Sequence, residues 1–153
     1  MQSPPLQLER YFYSRVTFEA NPEYKPGEGS ETIKLKETPM TLLRHAEDTR
    51  RWQVILDIDT PSLKESPGPY YIDLQVVGFF GVVPDFPEED IETLLGVTGS
   101  SILYSAAREF IMLITSRGPW PAVSLPTVTF GKQGKSKPAP SVKPKRRKIS
   151  DSR

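Results

Sequence analysis

From Leu6 to Phe18 the chain alternates, as a strand with one face on a core does. Leu8, Phe12, Val16 and Phe18 share one face, with Arg10 and Ser14 as exceptions, and Glu9, Tyr11, Tyr13, Arg15, Thr17 and Glu19 share the other. Residues 21–30 are rich in Pro, Gly and Glu and predict a loop. Thr32 to Glu37 predicts a short strand with Ile33 and Leu35 inward, whereas Met40, Leu42 and Leu43 fit either a strand or a turn. Trp52, Val54, Leu56 and Ile58 mark a strand from Arg51 to Thr60, and Tyr70 to Val83 is the longest strand pattern. The later half of that pattern is apolar on both faces around Gly78 and Gly81, which suggests a bulge or a close backbone approach.

The period then changes. Pro87 to Thr98 predicts a short helix, with Glu88, Glu89 and Asp90 at its positive end and an Ile91, Leu94, Leu95 stripe. Ser100 and Ser101 can cap a second helix that runs from Ile102 to Arg117 and is stopped by Gly118-Pro119. On it Ile102, Ala106, Phe110, Leu113 and Arg117 form one side, with Leu103, Ala107, Ile111 and Ile114 beside them. Ser105, Arg108, Glu109 and Ser116 leave only a narrow polar strip, so this helix needs a second partner, such as another subunit. Trp120 to Phe130 is extended and broken by prolines. Strands followed by helices predict an α+β fold, a four-stranded antiparallel sheet with helices on one face.

At 153 residues the chain has room for one domain, residues 1–131, and a tail, residues 132–153. The net charge of +1 hides an asymmetry: the tail holds nine Lys/Arg and one Asp, leaving eleven Lys/Arg against eighteen Asp/Glu before it, +8 against −7. Lys143, Lys145, Arg146, Arg147 and Lys148 form a basic cluster in a segment that cannot bury enough to order itself. Such a cluster could bind nucleic acid or an anionic surface, or simply solubilise. The opening residues lack the basic-then-apolar order of a signal peptide, and no run is long enough for a membrane helix; a cytoplasmic protein is expected.

Candidate chemistry is sparse. No Cys is present, His45 is the sole histidine, Asp57 and Asp59 lack a calcium-loop pattern, and no helix opens after Gly78-x-x-Gly81. We expect no catalytic residue, no metal and no cofactor. The surplus is aromatic instead, and Trp120, set between prolines, fits either a core or the lining of a groove.

Ile102-Leu103-Tyr104-x-x-x-Arg108-Glu109, Ser116-Arg117-Gly118, Trp120-Pro121 and Leu125-Pro126-x-Val128-x-Phe130 together resemble the SecB family of export chaperones, as does Thr17-Phe18-Glu19-Ala20. The resemblance covers about residues 6–130. Ser105-Ala106, Thr129 and Arg15 depart from that family's usual Pro-Tyr, Asn and Asp, and the family's last helix has no counterpart. The resemblance implies a homotetramer, a dimer of dimers, that holds unfolded polypeptides or preproteins in apolar grooves without ATP. By position it assigns the client groove to Phe80, Val82, Leu103, Trp120 and Val123, and the subunit interfaces to Tyr13, Ile102, Phe110 and Ile114. It assigns contact with the motor SecA to Glu19 and Asp73. It allows two uses, Sec-dependent export or service to a single client such as a toxin-antitoxin pair.

Overall fold

The computed structural model describes residues 2–27, 33–65 and 68–131; the basic tail and Thr32 lie outside them. Four strands, β1 (Leu6–Ala20), β2 (Met40–Arg44), β3 (Arg51–Asp59) and β4 (Tyr70–Val82), form one antiparallel sheet in the order β1-β4-β3-β2. The first strand therefore closes against the last, and β1 and β2 are its two edges. The expected strand at Thr32 to Glu37 is not in the ladder. Ile33 is buried as expected, but Lys36 makes one backbone bond to the Asp59 carbonyl, and β2 takes the edge of β3 instead. Pro39 accepts from the Asp57 amide but has no N–H to give, so regular pairing starts at Met40.

β1 differs from its predicted alternation for a specific reason. Its register against β4 slips between Leu8 and Arg10 and again between Tyr13 and Arg15. Each extra residue reverses which side chains face the core. Between the two slips Tyr11 and Tyr13 share the parity of Gly78 and Val76 on the core side, while Phe12 lies with Val77 on the outer face. After the second slip Val16 and Phe18 return to the core side.

From Glu88 to Thr115 the backbone is helical without interruption. A 3-10 turn (Glu88–Asp90) leads into α1 (Ile91–Leu94), a π segment (Leu95–Gly99) and then α2 (Ser100–Thr115). The predicted break at Gly99 is absent, because Gly99 keeps helical angles (φ −60, ψ −47). Ser100 and Ser101 therefore do not cap a helix: buried Ser100 donates to the Met40 sulfur and Ser101 to the Val97 carbonyl. The π segment absorbs the turn where the helix seats on the sheet.

That seat is the core. Val54, Leu56, Ile58, Ile72, Leu74, Val76 and Phe80 point from β3 and β4 at Leu95, Leu103, Ala107 and Ile111, all fully buried. Gly78 permits the closest approach, since a Cβ there would lie 2.7 Å from a Leu103 methyl and 2.8 Å from the Phe80 ring. Beyond α2 the chain runs back beside the helix. Thr115 Oγ1 donates to the Ile111 carbonyl and accepts the Val123 amide, and Tyr104 donates to the Pro126 carbonyl, burying Val123 and Leu125.

Gly78→Val should lower unfolding free energy by about 1–3 kcal/mol through overpacking. Gly68→Ala, which meets nothing within 4 Å, serves as the near-neutral control in the same urea titration.

Candidate functional site

The core side of the sheet is incompletely covered. α2 lies over β3 and β4, and β1 extends past it. Tyr13 stacks on Phe110 with ring centroids 4.4 Å apart, and both stay half-exposed. On the same side Tyr11 (45%), Val16 (45%) and Leu113 (57%) are open to solvent, while Met112 (47%), two residues on from Phe110, projects from the other flank of α2. Ile102 and Ile114 are likewise half-buried. The four expected interface residues therefore sit on half-open surface bordered by exposed apolar side chains, along a β1 edge whose outer side pairs with no strand among the described residues.

The residues assigned to a client groove are placed differently. Phe80, Val82, Leu103 and Val123 are buried within the protomer, at 0 to 5% exposure. Phe80 and Leu103 meet beneath α2, whereas Val123 lies at its other end. Trp120 alone is half-exposed. Its indole donates to the Asn21 carbonyl (2.8 Å), its amide donates to the Tyr70 hydroxyl (2.9 Å), and its ring meets Tyr24 edge-on at 5.5 Å. Asn21 and Tyr24 were not legible as its partners, since they stand in a Pro-rich loop; the Asn21-Pro22 turn signal was the only hint.

The outer face is polar toward one end. Arg15 Nε and Nη2 donate to both oxygens of Asp73 (3.0 and 2.9 Å), and Nη2 also reaches Asp57 (3.1 Å). Asp73 and Asp57 raise the already high pKa of Arg15, the Asp73 hydrogen bonds most. Opposed Asp59 and Asp73 would repel; Arg15 takes one and Lys36 Nζ the other at 3.5 Å. Glu19 stands exposed at the end of β1, opposite Tyr71. Glu19 and Asp73 thus share this face, but the Asp73 carboxylate is already engaged.

His45 is exposed, and its Nδ1 accepts the Glu47 and Asp48 amides (3.2 and 3.0 Å), closing the β2–β3 turn. Among the described residues no His, Cys, Asp and Glu cluster could hold a metal, and no helix is long and apolar enough to cross a membrane. What this geometry offers is surface: apolar on one side of the molecule, charged on the other. It is the surface of a binding protein, one that recognises other chains.

Comparison with known proteins agrees. The family model described as preprotein translocase subunit SecB matches residues 2–133, and the chain belongs to the SecB family. The protein-export protein SecB of Psychrobacter arcticus is 29% identical over 130 residues, covering 83% of this chain and 84% of that one. That of Haemophilus ducreyi is 29% identical over 138 residues, covering 82% and 73%. In fold the chain is similar to a Mycobacterium tuberculosis SecB-like chaperone solved in complex with a ChAD peptide from the HigA1 antitoxin. The TM-score is 0.62 at 16% identity, over 81% of this chain and 91% of the other.

Burial, then the charges of Tyr11 and Glu109, pushes the Tyr13 hydroxyl from 10.0 up to about 12. A raised acid favours the protonated fold, so its contribution is complete below about pH 10 and is lost as pH climbs toward 12. Denaturant unfolding at stepped alkaline pH should show stability falling across that window, and Tyr13→Phe should flatten part of the slope. An unchanged slope in the variant would remove Tyr13 from this account. Tyr71 and Tyr104, also raised by burial, leave a residual dependence.

Proposed function

We propose that this chain is an ATP-independent holdase of the cytoplasm, assembled as a homotetramer, that keeps unfolded polypeptides soluble. The observation that carries this is the open apolar border of the core side, Tyr11, Val16 and Leu113 beside the Tyr13–Phe110 stack. Contiguous exposed apolar surface marks interaction sites, and burying it contributes roughly 25 cal/mol per Å2 without reading a partner's sequence. Paired copies of β1 would satisfy the free edge, and Tyr13, Ile102, Phe110 and Ile114 would lie in the contacts between helices. Clients would then enter beside Trp120 and Tyr24, over buried Val123, and Phe80, Val82 and Leu103, toward the other end of β4 and the start of α2, would back a separate stretch of the groove.

Two uses follow from family membership: delivery to SecA through Glu19 and Asp73, or service to one dedicated client, as the antitoxin peptide on the mycobacterial relative illustrates. The Arg15 clamp favours the second, because it neutralises the carboxylates a basic SecA segment would meet.

Solution mass and suppression of aggregation of a denatured client test the reading together. The wild-type chain should weigh as a tetramer and hold the client, and Val16→Asp with Leu113→Asp should dissociate it. A wild-type protomer indifferent to denatured chains would end the proposal. For the choice of use, Arg15→Ala should raise SecA retention in a pull-down severalfold if the clamp is what blocks it; no gain would shift the cause elsewhere.

A further inference from the structure

The other end of the outer face reverses the charge. There a cleft of 270 Å³ is walled by Arg10, Arg44, His45 and Arg51 over the apolar side chains of Leu43 and Phe79. Arg44 is held by Glu88 at 3.9 Å, Arg51 is shared loosely between Glu9 and Asp48, and Arg10 has no ion pair among the described residues, in a body that carries −7. The opposite cleft on the same face holds Glu37, Asp57, Asp59 and Asp73 against Arg15 and Lys36. The basic end is therefore a local device and not a general property of the surface.

Its floor is open because of two backbone features. Gly81 stands opposite Arg51 and has no side chain, and a Cβ there would come 2.9 Å from Glu9 Oε1. Glu9 itself falls at the first register slip of β1, which turns its carboxylate across the cleft. It reaches Arg51 Nε at only 3.6 Å, and Asp48 does no better at 3.6 Å. Charge-assisted bonds settle at about 2.7–2.9 Å, so Arg51 is attended but not satisfied. Arg10 lies over the Phe12 ring at 5.3 Å with no ion pair among the described residues. Leu43 is 46% exposed.

We propose that this cleft binds an acidic–apolar peptide segment, with an apolar side chain on Leu43 and Phe79 and a neighbouring carboxylate on Arg51 and Arg10. The incoming carboxylate takes the place that Glu9 now fills loosely. A long polyanion such as RNA would run out of the cleft onto the −7 body, whereas a short segment can reach Arg10 and Arg51 by displacing Glu9 alone. The site lies on the face opposite α2 and does not depend on the holdase reading.

Fluorescence anisotropy of a short labelled peptide of alternating leucine and glutamate, titrated with the full chain, tests it. Wild type should bind more tightly at low salt than at moderate salt. Arg51→Glu should weaken binding about tenfold or more, Leu43→Ser severalfold, and Glu9→Gln should tighten it severalfold. Arg10→Glu, exposed and unpaired, supplies the same charge reversal should Arg51→Glu fail to fold. Suppression of client aggregation should be unchanged in these variants, which separates this site from the holdase surface. Equal binding of a leucine–lysine peptide, indifference to both arginine reversals, or displacement of the peptide by a denatured client would each overturn the proposal. So would an RNA oligonucleotide that binds tighter and loses affinity in the same variants. A second copy as the occupant would show as a mass halved by Arg51→Glu without added peptide, and would equally overturn it.

Discussion

One helix cannot roof four strands. A helix with side chains is about 10–12 Å across, while four strands spaced at about 4.8 Å present some 14 Å between the outer two backbones alone. α2 settles where burial is deepest, on β3 and β4, with Gly78 letting Leu103 sink to the sheet. β1 is then left with its core side only partly covered. The half-open Tyr13–Phe110 stack marks where the roof ends, and Tyr11 and Val16 lie along the eave. The apolar surface of this protein is thus a geometric remainder, which makes it broad and unspecific in shape. A holder of unfolded chains needs surface of that kind.

The two register slips in β1 organise what remains. The first turns Glu9 across the basic cleft and carries Tyr11 to the core side; the second restores the parity that buries Phe18 against Tyr70. Between them Phe12 is delivered to the outer face, beside Phe79 at 6.0 Å. A regular strand would have put Phe12 with the core and both tyrosines in solvent. One edge strand therefore supplies side chains to both faces of the sheet.

Much of this was legible beforehand. The alternation in β3 and β4 and the helical period after Ile102 gave the sheet, the helix and the α+β layering, because those elements bury one continuous face each. The misses have physical causes. Period-two patterns cannot show a bulge, so alternation alone inverts the middle of β1. Ile33 and Leu35 pack inward without pairing, so burial imitated a strand where no ladder exists. Gly99 and the serines after it looked like a break and a cap, but tertiary seating on Phe80 and Val54 kept the helix running. Leu103 belongs to the family motif and to the buried core alike, and pattern alone cannot tell core from groove wall. The Arg15 clamp needed three strands to be adjacent; only the odd charge at that position hinted at it.

The bond from the Trp120 indole to the Asn21 carbonyl joins positions 99 apart in the chain. β1 likewise waits for β4, its one partner strand among the described residues, across an interval of some fifty residues or more. Topologies of such high contact order fold slowly, since distant loops must close before any reward arrives. At synthesis rates of about 5–20 residues per second, the opening strand spends several seconds without its mate. The newborn protein is thus, for that interval, the sort of adhesive half-made chain that its finished form is shaped to shelter.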